Sequence, residues 1–351
     1  MNREEIIRLL SISDITEMNR LFERANALKI ATIGNKVYLR GLIELSNICA
    51  KNCYYCGIRC ENKKVERYEL SDEEVFRAVG FAWRNRYGSV VLQSGEQQSP
   101  RFTERIISLL KQIKEQTNNE IGVTLSCGEQ TREVYRRWFE AGAHRYLLRI
   151  ESSTRDLYEK IHPNDALHDY DQRRAAINNL RAEGYQAGTG VMIGLPFQTI
   201  EHLADDLLFF QSMNIDMIGM GPYLEHHDTP LFEYREQLLP PEQRFCLSLK
   251  MVAVLRLLMP DINIAATTAL QVLHPMGREM AVLAGANVIM PNMTITEVRK
   301  NYQIYEHKPG INDDAEISKS KLEENLQQSG IEIGYGEWGD SHHFRKKMKQ
   351  E

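Results

Sequence analysis

Apolar positions along the chain follow two rhythms. In "SDITEMNRLFERANALK", Ile15, Met18, Phe22 and Ala25 recur at helical spacing behind a cap at Ser13 or Asp14, so residues 1–36 read as a helical extension. From Val37 onward, short apolar runs alternate with amphipathic stretches. "VYLRGLIELS", "GSVVLQSG", "EIGVTLSCG", "HRYLLRIES", "QAGTGVMIGLP", "IDMIGMGPY", "INIAATTA" and "NVIMPNMT" read as strands. Helical patterns separate them, the first opened by Ser71 with Glu74 three residues on, the spacing of a capping box. Short strands with apolar runs are covered on both sides, as in a parallel sheet. Eight such units over 37–306 predict a (βα)8 TIM barrel, with a doubly wound open sheet as the alternative that this length disfavours. The segment 307–351 reads as a polar tail with one helix, "AEISKSKLEENLQQSG", ended by Gly330.

Composition narrows the class without choosing a chemistry. Of 351 residues, 42% are apolar and 26% charged, as in an ordinary globular enzyme, and the net charge of −5 argues against nucleic acid or an anionic membrane as partner. "MVAVLRLLMP" is broken by Arg256 and closed by Pro260, too short for a membrane span, and "MNREEIIRLL" is too charged for a signal peptide. Six cysteines without a spread framework fit a reducing compartment, so a cytoplasmic location is expected.

Three of those cysteines fall in "CAKNCYYC", directly after the first predicted strand. That is the rim where barrel active sites are built. Cys49, Cys53 and Cys56 have the order C-x3-C-x2-C; three thiolates can hold three irons of a [4Fe–4S] cluster and leave the fourth iron open. A zinc site with Cys60 as fourth ligand is the alternative, although structural zinc ligands usually come as two separated pairs. A four-cysteine ferredoxin site has the wrong spacing, and Glu61 stands where proline would follow.

Strand four carries a second signal. Alternation puts Arg145, Leu147, Arg149 and Glu151 on one face and Tyr146, Leu148 and Ile150 on the other. The apolar set must meet the helices, so the charged set points into the barrel. Buried charges cost several kcal/mol unless paired, so this interior implies polar ligands, a structural rim salt bridge being the plainer reading. Thr267 and Thr268, ending the seventh strand, offer two more hydroxyls inward. "HHD" (His226, His227, Asp228) invites a metal reading, but consecutive side chains diverge on a strand, so no second metal is expected there.

The cysteine motif, with aromatic Tyr55 before its last member and a barrel strand ahead of it, resembles the radical S-adenosylmethionine superfamily. "IELSNICAKNCYYCGIR", "VLQSGE", "TLSCGE", "RYLLRIES", "GVMIGLPFQT", "MIGMGPYLEHHDTPL", "ATTA", "GANVIMPN" and "YQIY" are similar to the HydE family of [FeFe]-hydrogenase maturases, a biotin-synthase-like group, from about residue 3 to residue 306. The resemblance implies a [4Fe–4S] cluster on Cys49, Cys53 and Cys56, and cleavage of S-adenosylmethionine to methionine and a 5′-deoxyadenosyl radical. It assigns Tyr55, Gln93, Ser94, Gly95, Glu96, Thr124, Arg149, Glu151, Arg173, Met192 and Tyr302 to the cofactor, with Arg149 and Glu151 nearest the chemistry. Arg145 is then expected at an anion-accepting site deeper in the barrel, with Thr267 and Thr268 in the substrate chamber. The implied substrate is a small iron–cysteine complex bearing carbon monoxide and cyanide. The implied partners are other maturases and an electron donor such as ferredoxin or flavodoxin. Cys127 reads as a buried core residue. No cysteine follows Cys246, so the accessory C-terminal cluster of some family members is not expected. Two other readings stand beside this one: a radical mutase of the methylornithine-synthase kind, and a non-catalytic iron–sulfur scaffold.

Overall fold

Asp14 caps the helix Ile15–Ile33, its carboxylate accepting the Glu17 amide at 2.9 Å, and the helix Arg3–Leu10 precedes it. Both pack on the long helix Pro241–Leu258, where buried Lys250 donates to the carbonyl of Ile12 at 2.9 Å. The predicted capping box is present at Asp72–Arg84, with Ser71 and Glu74 bonding reciprocally. These features belong to a computed structural model that describes residues 1–312 and 315–349.

Eight strands form the barrel: β1 (Lys36–Ser46), β2 (Ser89–Ser94), β3 (Gly122–Ser126), β4 (Arg145–Leu147), β5 (Gln186–Thr189), β6 (Met217–Ile218), β7 (Asn263–Ala266) and β8 (Val288–Ile289). Each pairs in parallel with the next, and β8 returns to β1 through Tyr38↔Val288 and Leu39↔Ile289, which closes the cylinder. The expected TIM barrel is therefore the fold, and the open sheet is not. Alternation along β1 explains the layers: Val37, Leu39, Ile43 and Leu45 join the apolar shell under the helices, while Arg40, Leu42 and Glu44 face inward.

The tail is more than the single helix expected. Ala315–Gln328 is that helix, but Glu332–Ile333 (β9) then adds to β1, and a second helix follows at His342–Lys347. Between them Trp338–Ser341 stops the N-terminal end of the barrel. Arg40 and Asn263 donate to the Gly339 carbonyl at 3.1 and 2.8 Å, Arg145 to that of Trp338 at 2.8 Å, and Gln186 to Asp340 at 2.8 Å. A polar sequence here reflects partners among the barrel-floor side chains rather than solvent. Tail positions 313, 314, 350 and 351 lie outside the described residues. Among the described residues, no helix is long and apolar enough to cross a membrane.

Candidate active site

The loop from β1 to Asp72–Arg84 is irregular, so its backbone groups need partners from elsewhere. Arg67 supplies several, donating to the carbonyls of Asn47, Ile58, Arg59 and Asn62 at 2.6, 2.8, 2.7 and 3.1 Å. Asn47 ties the loop to Glu66 and Asn301, and the segment after β4 holds its other side: Ile161 accepts the Tyr54 amide at 3.1 Å and His168 Nε2 that of Asn52 at 3.0 Å. Strand β2 meets it from inside the barrel. A Cβ at Gly95 would lie 2.3 Å from the Ile48 carbonyl oxygen, so what approaches this glycine closely is the cysteine loop itself. The Ala50 amide donates to the Glu96 carbonyl at 2.8 Å, and the Glu96 amide to Cys49 Sγ at 3.3 Å.

Thus fixed, Cys49, Cys53 and Cys56 line one end of a cavity of about 310 Å³ at the C-terminal mouth of the barrel, and Cys60 does not line it. The donor set can be tested against the metals it could hold. A tetrahedral zinc with bonds of ~2.3 Å would gather its thiolates about 3.8 Å apart. Among the described residues no cysteine group has its sulfurs all within 4.8 Å of one another. Three spaced thiols with Cys60 excluded fit a polynuclear cluster that takes three protein sulfurs. Burial pushes the Cys53 thiol up to about 12 and raises Cys49 and Cys56 as well, so metal must displace protons on binding.

Four charges are buried beside this end. Lys51, inside the motif, lies 3.1 Å from Glu96 and 3.4 Å from Glu129; Arg173 pairs with Glu129 and lies 3.6 Å from Glu96. Two cations and two carboxylates balance, which is how charges are tolerated at this depth. Opposite them, Arg149 Nη2 lies 2.9 Å from Glu151 Oε2 and donates to the Val191 carbonyl at 2.9 Å. Burial raises the Glu151 carboxyl against the pull of Arg149. Glu151 sits at φ 65°, a left-handed conformation that costs a non-glycine residue about 1–3 kcal/mol and gathers at functional sites. Arg149 Nε is buried without a hydrogen-bond partner, a donor free to meet a polar ligand.

Of the residues singled out in the sequence, Tyr55, Gln93, Ser94, Gly95, Glu96, Arg149, Glu151, Arg173, Met192, Thr267, Thr268 and Tyr302 line this one cavity with the three cysteines. Tyr55 approaches His162 Nε2 at 3.2 Å, and Gln93 donates to the Tyr302 hydroxyl at 3.2 Å. Thr124 and Arg145 lie elsewhere. Thr124 faces a void of about 20 Å³ beneath, one water in size, and Ser126 takes its place at the cavity wall. Arg145 is at the floor, 3.2 Å from Asp340, and burial lowers its guanidinium to about 10. It shares a face with Arg149 but starts the strand, so it sits deeper. Cys127 is buried in the core, as expected. The sequence reading missed Lys51, Glu129, Glu44 and Lys308. The last two form a buried ion pair on the inner wall, where Lys308 also lies 5.1 Å from the Tyr302 ring centroid and Asn292 donates to Glu44 at 3.1 Å.

Comparison with known proteins agrees with this geometry. The radical SAM superfamily model matches residues 43–210. The [FeFe] hydrogenase maturase subunit HydE of Thermotoga maritima is 42% identical over 307 residues, covering 87% of this chain and 84% of that one. A 3-methylornithine synthase of Methanosarcina acetivorans is 27% identical, over 86% and 83%. The crystal structure of methylornithine synthase (PylB) superposes with a TM-score of 0.80 over 95% of this chain and 94% of that one, at 23% identity. That of HydG, a maturase of the [FeFe]-hydrogenase, gives 0.78 over 95% and 73%, at 22%. At such identities the two structures speak for the barrel alone. The three-cysteine loop at the mouth of a closed parallel barrel, with the 42% identity across most of both chains, makes this chain a member of the HydE family of radical S-adenosylmethionine enzymes.

Proposed function

We propose that the protein generates a 5′-deoxyadenosyl radical at the cysteine end of the cavity and directs it onto a small iron–cysteine complex carrying carbon monoxide and cyanide. This would be a step toward the diiron subcluster of an [FeFe]-hydrogenase. The observation that carries the reading is the single cavity. Cys49, Cys53 and Cys56 line it together with Glu44, Thr267, Thr268 and Lys308. A radical made at the cysteines can then reach a substrate held by the other residues of the same cavity.

When bound, a [4Fe–4S] cluster on the three cysteines supplies the electron that splits S-adenosylmethionine. The chain's own residues do the rest. Gln93, Ser94 and the Gly95–Glu96 backbone receive the amino end of the methionine moiety, and Arg173 draws its carboxylate. Arg149 and Glu151 offer a donor and an acceptor to the ribosyl part, while the polarizable Met192 side chain meets the adenine. Tyr55 and Tyr302 close the sides. Thr267 and Thr268 hold the substrate from within the barrel. Arg145 remains an anion-accepting group below, with its Nε and Nη1 and the Thr124 hydroxyl buried and unpartnered. Partner maturases supply and take the small complex, and a ferredoxin or flavodoxin supplies electrons.

The test is anaerobic maturation of an [FeFe]-hydrogenase with the partner maturases, with and without this protein. Dependence of hydrogenase activity on it supports the reading. Conversion of lysine to methylornithine would make it a mutase, and failure to cleave S-adenosylmethionine at all would leave an iron–sulfur scaffold.

A further inference from the structure

The stretch His226-His227-Asp228 has no part in the chemistry above. It lies in a turn rather than a strand, so its rings do not diverge: they stack with centroids 5.1 Å apart and planes 18° apart. Glu306, from the segment after the barrel, reaches the same place. One ligating atom from each of His226, His227 and Glu306 lies within 4.8 Å of the other two, the one such group of histidine, cysteine or acidic side chains among the described residues.

We infer that His226, His227 and Glu306 form a site for one divalent ion of the borderline class, Zn²⁺, Fe²⁺ or Co²⁺, separate from the cysteine cluster. Two imidazole nitrogens and one carboxylate oxygen are the donors such ions take, and three protein ligands suffice for a site that keeps water in a fourth position. Asp228, 3.1 Å from His227 Nε2, is a carboxylate that can orient the second ring from behind. His226 is already fixed. Its ring is buried against Gly57, where a Cβ would lie 2.4 Å from its Cδ2, and its Nδ1 accepts the Asp228 amide at 3.1 Å. Without a metal the same group is a hydrogen-bonded clasp, His227 Nδ1 on Glu306 and Nε2 on Asp228. A divalent ion would displace the proton on His227 Nδ1, leave Nε2–H facing Asp228, and join the same two segments more tightly. Position gives the site its meaning. Gly57 follows cluster ligand Cys56, and Glu306 stands between Tyr305 and Lys308, which line the cavity. The ion would brace the cavity wall against the cysteine loop. This inference is independent of the proposed substrate.

The test uses protein with its iron–sulfur cluster already reconstituted, so that the three cysteines are occupied, dialysed anaerobically against Co²⁺ and analysed for metal. About one cobalt per chain beyond the cluster iron is expected, with affinity at least tenfold weaker in His227→Ala and in Glu306→Gln and unchanged in Cys60→Ser. X-ray absorption at the cobalt edge should show nitrogen and oxygen neighbours only. His227 is over half exposed and Glu306→Gln is isosteric, so both variants should keep the cluster iron of the parent. Cobalt should raise the Tm of the parent and leave that of both variants unmoved. No cobalt uptake, equal uptake by parent and variants, or a sulfur neighbour would each overturn the assignment.

Discussion

The backbone amide of Glu96 donates to Cys49 Sγ at 3.3 Å, so the end of strand β2 and the first cysteine of the motif are held as one unit. The contact exists because Gly95 has no side chain. A Cβ there would lie 2.3 Å from the Ile48 carbonyl oxygen and 2.9 Å from Cys49 Cβ. Gly95→Ala should therefore displace the loop rather than the barrel. Overpacking of this kind costs about 1–3 kcal/mol. We expect a lowered Tm and iron incorporation well below the parent after anaerobic reconstitution, with unchanged far-ultraviolet circular dichroism. Parental iron content in the alanine variant would show that the close approach is dispensable.

The buried quartet of Lys51, Arg173, Glu96 and Glu129 should behave as a balanced set. Lys51→Met leaves two carboxylates facing one guanidinium, and breaking a buried pair costs about 3–5 kcal/mol. Adding Glu129→Gln restores the balance. Denaturant unfolding should find the double variant more stable than Lys51→Met alone, whereas simple additivity would mean the four groups do not share charge.

Arg149→Ala should weaken S-adenosylmethionine binding and leave the cluster assembled. A hydrogen bond to a charged group contributes about 1.5–3 kcal/mol, which is roughly tenfold or more in affinity. Titration calorimetry of the reconstituted variant reads this directly, and an unchanged Kd would remove Arg149 from the binding surface.

Asp206 provides a pH prediction away from the site. Burial pushes its carboxyl up to about 7, while the Ser153 amide and hydroxyl donate to it at 2.7 and 2.6 Å. A carboxyl raised on folding favours the protonated native state. Its contribution is fully present below the unfolded value near 4 and is lost as pH rises through 7, a change of order 4 kcal/mol. The parent should lose stability between about pH 4 and 7 relative to Asp206→Asn, and parallel stability curves for the two proteins would refute the shift.

What the sequence could and could not disclose follows from the range of the interactions. Strand alternation is local, so it separated Tyr146 and Ile150, in the apolar core, from Arg149 and Glu151 at the cavity, while Leu148 touches both. It says which face a residue is on, not how deep; the deeper place expected for Arg145 came from the family resemblance, and Arg145 lies on the floor against Asp340. The same rule applied to "RGLIE" places Arg40 and Glu44 on the inner face with Leu42. There two single charges on an apolar strand gave less signal than the charge-rich fourth strand. Lys51 and Glu129 were not legible, because nothing local distinguishes a charge that meets its partners across the barrel mouth. The tail failed for a similar reason: Trp338 and Asp340 are polar-tail residues until the barrel floor they close is known.

Three cysteines, and not four, are expected to hold the cluster that cleaves S-adenosylmethionine. The direct measurement is 5′-deoxyadenosine formed by anaerobically reconstituted, reduced protein, compared among the parent, Cys53→Ala and Cys60→Ser. Product is expected from the parent and from Cys60→Ser, each with about four irons per chain, and none from Cys53→Ala. Product from Cys53→Ala, or loss of both iron and product in Cys60→Ser, would contradict it.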